Sequence, residues 1–375
     1  MKIIVDDKIP YIRGALEPFA EVVYLPGKQT TAEVVKDADA LVTRTRTICN
    51  RDKLSGSKVS YIATATIGFD HIDTAYCAEA GIEWSNAPGC NAESVNQYIA
   101  TALFSYARRR SLSLEGLTIG IVGVGQVGSR VAKTCEILGM NVLLNDPPRE
   151  RVEGPDQFVS LQMVREQADI ITFHVPLNMD GVDKTYHMAD EAFLHGLGKQ
   201  PLLINTCRGE VFDTEPVYRA RQADLISGLI IDCWENEPDV DPDLLALVDY
   251  ATPHIAGYSK DGKANGTTAS VRAISRHFGL GIDDWEPKGV EPPPRPLIGL
   301  DGARKTDEHI LADAVLATYR IADDDRALRE HPERFEQLRG DYPVRREFHS
   351  HTIKADDVEG RVLNKLAGLG FKIKQ

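Results

Sequence analysis

The chain has 375 residues, 42% of them hydrophobic, with a formal net charge of −13 and a pI near 5.3. That length is too great for one ordinary core and calls for two or three domains. An acidic balance argues against a general nucleic-acid binder, which needs a basic footprint, but leaves room for a small anionic substrate held by a few local arginines. The six cysteines form no CxxC pair and show no zinc-like spacing with histidine. They read as free thiols in a reducing compartment, and no metal site is expected. The chain opens on MKIIVDDKIPY, which reads directly as a strand without a signal-peptide core, and no apolar run has membrane-spanning length. A soluble, cytoplasmic protein is expected, with neither a membrane nor a nucleic-acid partner.

In chain order, KIIVDD, EVVYL, ADALVTRT, VSYIATATI and IEWSN read as strands, and TAEVVKDA and HIDTAYCAEAG supply helices between them. Strands alternating with helices predict a parallel sheet. From Asn91 to Arg110, apolar residues at Val95, Ile99, Ala102, Leu103 and Tyr106 keep helical spacing, with Asn91 as a cap. Arg108–Arg110 fit the solvated end of that helix. A second series follows: LTIGIVGVG, NVLLNDPP, ADIITFHVP, PLLINTCRG, LISGLIIDCW and DYATPHIAGY. These Val/Ile/Leu-rich runs suit strands covered on both faces. Residues 261–281 look helical. The proline-rich stretch 286–296 reads as a linker. Beyond it, DEHILADAVLATYRIADDD predicts one amphipathic helix, REFHSHTIK a strand, ADDVEGRVLNKLAGLG a helix and FKIK a last strand. The helix places Ile310, Leu311, Ala314, Val315 and Tyr319 on related faces that must be buried, and a two-fold contact between copies would bury them.

GIVGVGQVGS contains G-x-G-x-x-G at Gly123, Gly125 and Gly128, between an apolar strand and a helix. Asp146 ends the next strand, 18 residues after Gly128. In that context Gly123 permits a tight turn, Gly125 close approach of a diphosphate and Gly128 close helix–strand packing, with Gln126 and Val127 opening the helix. Asp146 would accept hydrogen bonds from ribose hydroxyls and repel a 2′-phosphate, favouring NAD; Arg149 nearby keeps NADP open as an alternative. A glycine-rich turn in a nucleotide-free domain is the bland reading.

Three successive strand ends then carry NTCRGE with Arg208, DCWENEP with Asp232, Glu235 and Glu237, and TPHIAGY with His254. Ligands of open α/β sheets bind outside the carboxyl ends of strands, so these side chains are delivered to one rim. Taken singly, a histidine after proline is usually structural, and an arginine there can simply cap a carbonyl.

Together with GVGQVG, the stretches NTCRGEVFD, IDCWENEP and PHIAGY resemble the D-2-hydroxyacid dehydrogenases over residues 1–285. The resemblance implies two Rossmann-like domains, a flavodoxin-like substrate domain (1–92 and 259–285) and a dinucleotide-binding domain (93–258) inserted into it. A C-terminal α+β dimerisation domain (286–375) and a homodimer are also implied. The substrate would be a small phosphorylated 2-hydroxy acid. Oxidising such an acid needs a base for the hydroxyl proton, and His254 suits this because histidine ordinarily titrates near pH 6.5. Glu237 would fix its tautomer, and Arg208 offers a planar fork for the carboxylate and the C2 oxygen. The family assigns the same three roles. Asp232 would reach the nicotinamide amide, while Glu235 reads as solvated. Val175, Thr206 and Cys207 would line the cofactor cleft through backbone atoms, and Gly257 would let the chain approach the nicotinamide. Thr45, Thr66 and Tyr258 match substrate-contacting positions of the family. Cys90 and Cys207 have no paired base and read as bland.

For the phosphate, Arg44 and Arg46 lie two apart in ADALVTRTRT, so on an extended segment they leave the same face, alternating with Thr43, Thr45 and Thr47. Where the family often carries lysine this chain has Ile48, and Arg46 could replace that charge. Arg345 and Arg346 are further candidates, reaching across a dimer. Two other readings stay open: a different member of the family, such as one oxidising phosphoglycerate, and a non-catalytic NAD-sensing interaction protein.

Overall fold

Short runs of β-branched residues become parallel strands wherever helices can cover both faces. In the computed structural model, which describes residues 1–374, β1 (Lys2–Asp6), β2 (Glu21–Leu25), β3 (Ala40–Thr43), β4 (Tyr61–Thr64) and β5 (Glu83–Ser85) form a five-stranded parallel sheet of order β2-β1-β3-β4-β5. Residues Met1–Asn91 and Ser259–Glu291 form one compact unit around this sheet. Its two cores lie on opposite faces, one on Ile3, Val5 and Val42, the other on Ile4, Leu41 and Ile62.

The second unit comprises Ala92–Tyr258 and the chain from Pro292 on. Here β6 (Thr118–Val122), β7 (Asn141–Asn145), β8 (Ile170–Phe173), β9 (Leu202–Asn205), β10 (Gly228–Ile231) and β11 (Tyr250–Ala251) form a six-stranded parallel sheet of order β11-β10-β9-β8-β6-β7. In each sheet the strand order reverses between the first strand and the third, which is where α/β sheets open a ligand crevice.

The C-terminal stretch forms β12 (Leu297–Asp301), β13 (Thr352–Asp356) and β14 (Lys372–Lys374), all parallel, so this part is α/β in character rather than α+β. β12 follows the proline-rich linker directly and was not legible, because LIGLD exposes alternate residues and includes a glycine. The single amphipathic helix expected there is two helices, Asp307–Thr318 and Ile321–Glu330, separated by extended backbone at Tyr319 and Arg320. Tyr319 is buried, with its ring 6.1 Å from that of Tyr98. Ile310, Leu311, Ala314 and Val315 are buried within the chain, in one core with Tyr98, Ile99 and Leu103 of the helix Ala92–Arg110. That face therefore needs no second copy to cover it, and the argument for a dimer drawn from it does not stand. Among the described residues no helix is long and apolar enough to cross a membrane.

Candidate active site

The glycine loop fits a dinucleotide on three separate tests. Gly123 has φ +88°, and a Cβ there would lie 2.8 Å from the His174 carbonyl and from Val175 Cγ1. A Cβ on Gly128 would lie 2.0 Å from the Gly123 oxygen, so only glycine lets the helix Gln126–Ile137 start this close to β6. Gly125 meets nothing within 4 Å, which leaves open space at an exposed helix N-terminus, where a diphosphate is favoured. Val124 N–H and Arg149 N–H both donate to Asp146, at 2.8 and 3.0 Å. The remaining acceptor capacity of that carboxylate suits ribose hydroxyls. Arg149 is turned to Glu153 and to the Val124 carbonyl. His174, at the end of β8, escaped the sequence reading. Its ring nitrogens meet Thr172 Oγ1 at 3.0 Å and Thr206 Oγ1 at 3.4 Å, and burial pushes its pKa down to about 3, so it is a neutral wall of the loop. The HVP triplet beside Gly123 was the available signal.

His254 Nδ1 and Glu237 Oε1 lie 2.6 Å apart. Burial pushes the Glu237 carboxyl up, but the hydrogen bond and charge of His254, then the charge of Arg339 and the Trp234 N–H, hold it below the usual glutamate range. Arg208 follows β9, with Nη1 on the Cys207 carbonyl at 2.7 Å. A Cβ on the adjoining Gly209 would lie 2.0 Å from the Trp234 carbonyl, so the Arg208 loop rests directly on the backbone of the loop bearing Glu237. Cys207 is buried, and burial raises its thiol to about 11, in keeping with an inert side chain.

Two acids make contacts that the sequence did not show. Asp232 is fully buried, and its carboxylate accepts from Thr252 Oγ1 at 2.6 Å, Ile255 N–H at 2.8 Å and Ala256 N–H at 2.9 Å. It braces the His254 segment from behind. Glu235 is not a solvated side chain. It accepts from Thr214 N–H at 3.1 Å and meets His187 Nε2 at 2.6 Å, while the other ring nitrogen of His187 faces Asp213 at 3.5 Å. The imidazole thus bridges two carboxylates, one on each nitrogen. Sequence gave no sign of this, since His187 lies 48 residues before Glu235. Gly257 and Tyr258 close the segment after His254, both half-buried.

In the first unit the phosphate candidates separate. β3 ends at Thr43, and Thr47 N–H bonds back to the Arg44 carbonyl at 3.1 Å, so residues 44–47 form a turn and the same-face argument fails. Arg44 donates from Nε and Nη2 to the buried Asp6 carboxylate, at 3.1 and 3.0 Å. Thr43 and Thr47 are buried, whereas Thr45 and Arg46 are exposed. Thr66 donates to the Gly68 carbonyl at 2.8 Å. Arg345 is buried on carbonyls of its own chain and cannot reach across to another copy.

Residues 91–256 match the NAD-binding domain of D-isomer specific 2-hydroxyacid dehydrogenases, and residues 293–370 match a domain of unknown function, DUF3410. The chain is 53% identical over 354 residues to an erythronate-4-phosphate dehydrogenase of Bacteroides fragilis, covering 94% of this chain and 99% of that protein. The chain belongs to the erythronate-4-phosphate dehydrogenase family. A member of that family from Porphyromonas gingivalis is 43% identical over 99% of this chain and 100% of its own. Among solved structures, the D-lactate dehydrogenase of Aquifex aeolicus complexed with NAD and lactic acid is 26% identical, with a TM-score of 0.63, over 78% of this chain and 100% of that one. Membership in the erythronate-4-phosphate dehydrogenase family makes the protein an NAD-dependent oxidoreductase.

Proposed function

We propose that the chain oxidises 4-phospho-D-erythronate at C2 to (R)-3-hydroxy-2-oxo-4-phosphooxybutanoate, a step of pyridoxal 5′-phosphate (vitamin B6) biosynthesis, in the cytoplasm. Bound NAD supplies the hydride acceptor at nicotinamide C4. The observation that carries the mechanism is the 2.6 Å contact between His254 Nδ1 and Glu237 Oε1. With the Nδ1 proton directed to the carboxylate, the neutral imidazole presents Nε2 as an acceptor, and Nε2 takes the C2 hydroxyl proton as the C2–H bond breaks and the C=O bond forms. Glu237 favours the imidazolium that results. Arg208 holds the carboxylate and the C2 oxygen through its fork of N–H donors. Arg46, with Thr45 and Thr66, receives the far end of the substrate, and Tyr258 is a further candidate contact. The substrate rests on the names carried by the relatives, and the reducing compartment on the cysteine usage of the sequence.

His254→Ala is expected to lower turnover by roughly a hundredfold to ten-thousandfold, the usual worth of general acid–base help, with NAD affinity nearly intact. Equal turnover in the two proteins would remove His254 from the mechanism. We also propose a homodimer through the C-terminal residues. Its support is the family resemblance and the edge strand β12, where Leu297 is 51% exposed. A monomeric mass by light scattering would refute it.

A further inference from the structure

The segment that carries His254 continues from the edge of the six-stranded sheet, because β11 pairs with β10 on one side only. An edge leaves N–H and C=O groups without ladder partners. Here C-terminal residues meet them. Asp325 accepts the Ala251 N–H at 2.7 Å. Arg329, held by Asp325 at 2.9 Å, donates to the Leu245 and Val248 carbonyls at 2.6 Å each. Arg345 Nη2 donates to the carbonyls of Ile255 at 3.2 Å and Ala256 at 2.5 Å. The N–H groups of those same two residues are the ones bound to Asp232. The two residues after His254 are thus gripped by Asp232 through their donors and by Arg345 through their acceptors. His254 itself has φ 53°, a conformation that non-glycine residues keep only where the surroundings over-determine it.

Arg345 is an expensive way to obtain stability alone. It is 4% exposed, and its Nε and Nη1 have no hydrogen-bond partner. Its guanidinium carbon lies 4.7 Å from the Tyr319 ring centre and 5.7 Å from that of Tyr342. The hydroxyls of both tyrosines donate to Asp324 at 2.8 Å. Replacing a buried, incompletely paired charge by apolar side chains is often neutral or stabilising, so holding a fold together does not by itself account for an arginine here.

We propose that the C-terminal module is part of the catalytic apparatus, with Arg345 as a positioning residue that fixes His254 through the carbonyls of Ile255 and Ala256. Asp325 braces the strand before it, and Arg329 the helix end that leads into that strand. This gives a role to a stretch that matches a domain of unknown function, and it rests on His254 being the acid–base. A misplacement of about 1 Å far from the chemistry can cost on the order of a hundredfold.

The test is steady-state NAD reduction by the full-length protein with 4-phosphoerythronate, at a temperature well below each variant's melting point, beside NADH binding by fluorescence. Arg345→Ala is expected to lower kcat at least tenfold with the NADH Kd within threefold of wild type, and Arg345→Lys to recover part of the loss by donating to the same carbonyls. A folded Arg345→Ala with kcat within tenfold of wild type, or with its loss confined to dinucleotide affinity, overturns the proposal. If Arg345→Ala does not fold, Arg345→Lys decides: kcat reduced threefold or more at unchanged NADH Kd supports it, and a smaller change overturns it. His254→Ala, run alongside, separates the two claims. If that variant is inactive while the arginine variants are normal, only the clamp fails; if it is fully active, the mechanism beneath the clamp fails.

Discussion

The two large sheets share an order and differ at the point where it reverses. In the first unit, β1 ends in buried Asp6, which holds Arg44 from the turn after β3 at 3.0 Å. In the second, β6 is followed by Gly123, packed against the backbone after β8, with open space at Gly125. Both crevices lie at the same topological position. An ion pair fills one, and glycine keeps the other clear for a diphosphate. Topology thus supplies the place, and one or two side chains decide whether a ligand can occupy it.

Adding a methyl group to the open crevice sharpens this contrast most. Gly128→Ala meets the Gly123 oxygen at 2.0 Å and should impair folding and dinucleotide binding together, whereas Gly125→Ala meets nothing and should leave the melting temperature unchanged. Gly125→Ala is nevertheless expected to weaken NADH binding about tenfold by filling the diphosphate's space, as roughly 1.4 kcal/mol. Fluorescence titration beside a thermal melt distinguishes the two variants, and equal NADH affinity in Gly125→Ala and wild type would remove the cradle.

The filled crevice is broken by Arg44→Ala. This removes the charged partner of the buried Asp6 carboxylate, which keeps the Lys8 N–H at 2.9 Å, and a loss of about 1–3 kcal/mol in stability is expected by urea unfolding. Arg46→Ala should leave stability alone and raise KM for the phosphorylated acid about tenfold. If the two phenotypes were exchanged, the assignment of Arg44 to structure and Arg46 to substrate would be reversed.

Smaller effects follow from the acids. Glu237→Gln should move the acid limb of the oxidation pH profile to lower pH, because an ionised carboxylate favours the imidazolium and its loss lets His254 act as a base in more acidic solution. An unshifted limb would count against the pairing. Glu235 is held below the ordinary glutamate range: burial raises it, and hydrogen bonds from Thr214 and His187 outweigh that. A lowered carboxyl pKa contributes stability above the unfolded value of about 4.3, and that contribution is lost as pH falls below it. Glu235→Gln should therefore flatten the fall in melting temperature between about pH 5 and 3, a slope readily followed by thermal melts.

The strands of the two large sheets, the glycine turn and the nearness of Glu237 to His254 were legible because each depends on local pattern: apolar runs, glycine spacing and side chains at successive strand ends. The bracing role of Asp232 was missed, and Glu235 was misread, because their partners are set by tertiary folding. One braces a segment more than twenty residues on, and the other bridges to His187. Arg44 and Arg46 were read as a strand when they form a turn, since nothing in TRTRT marks where β3 stops. The helix face thought to seek a second copy is covered by its own chain, a packing choice that periodicity cannot predict.

The most direct measurement is NADH formation by the purified protein, followed by absorbance across 4-phosphoerythronate, unphosphorylated erythronate, 3-phosphoglycerate and D-lactate. The account predicts the highest kcat/KM for 4-phosphoerythronate, at least tenfold above erythronate. No NADH formation with any of the four, or a preference for 3-phosphoglycerate or D-lactate, would contradict it.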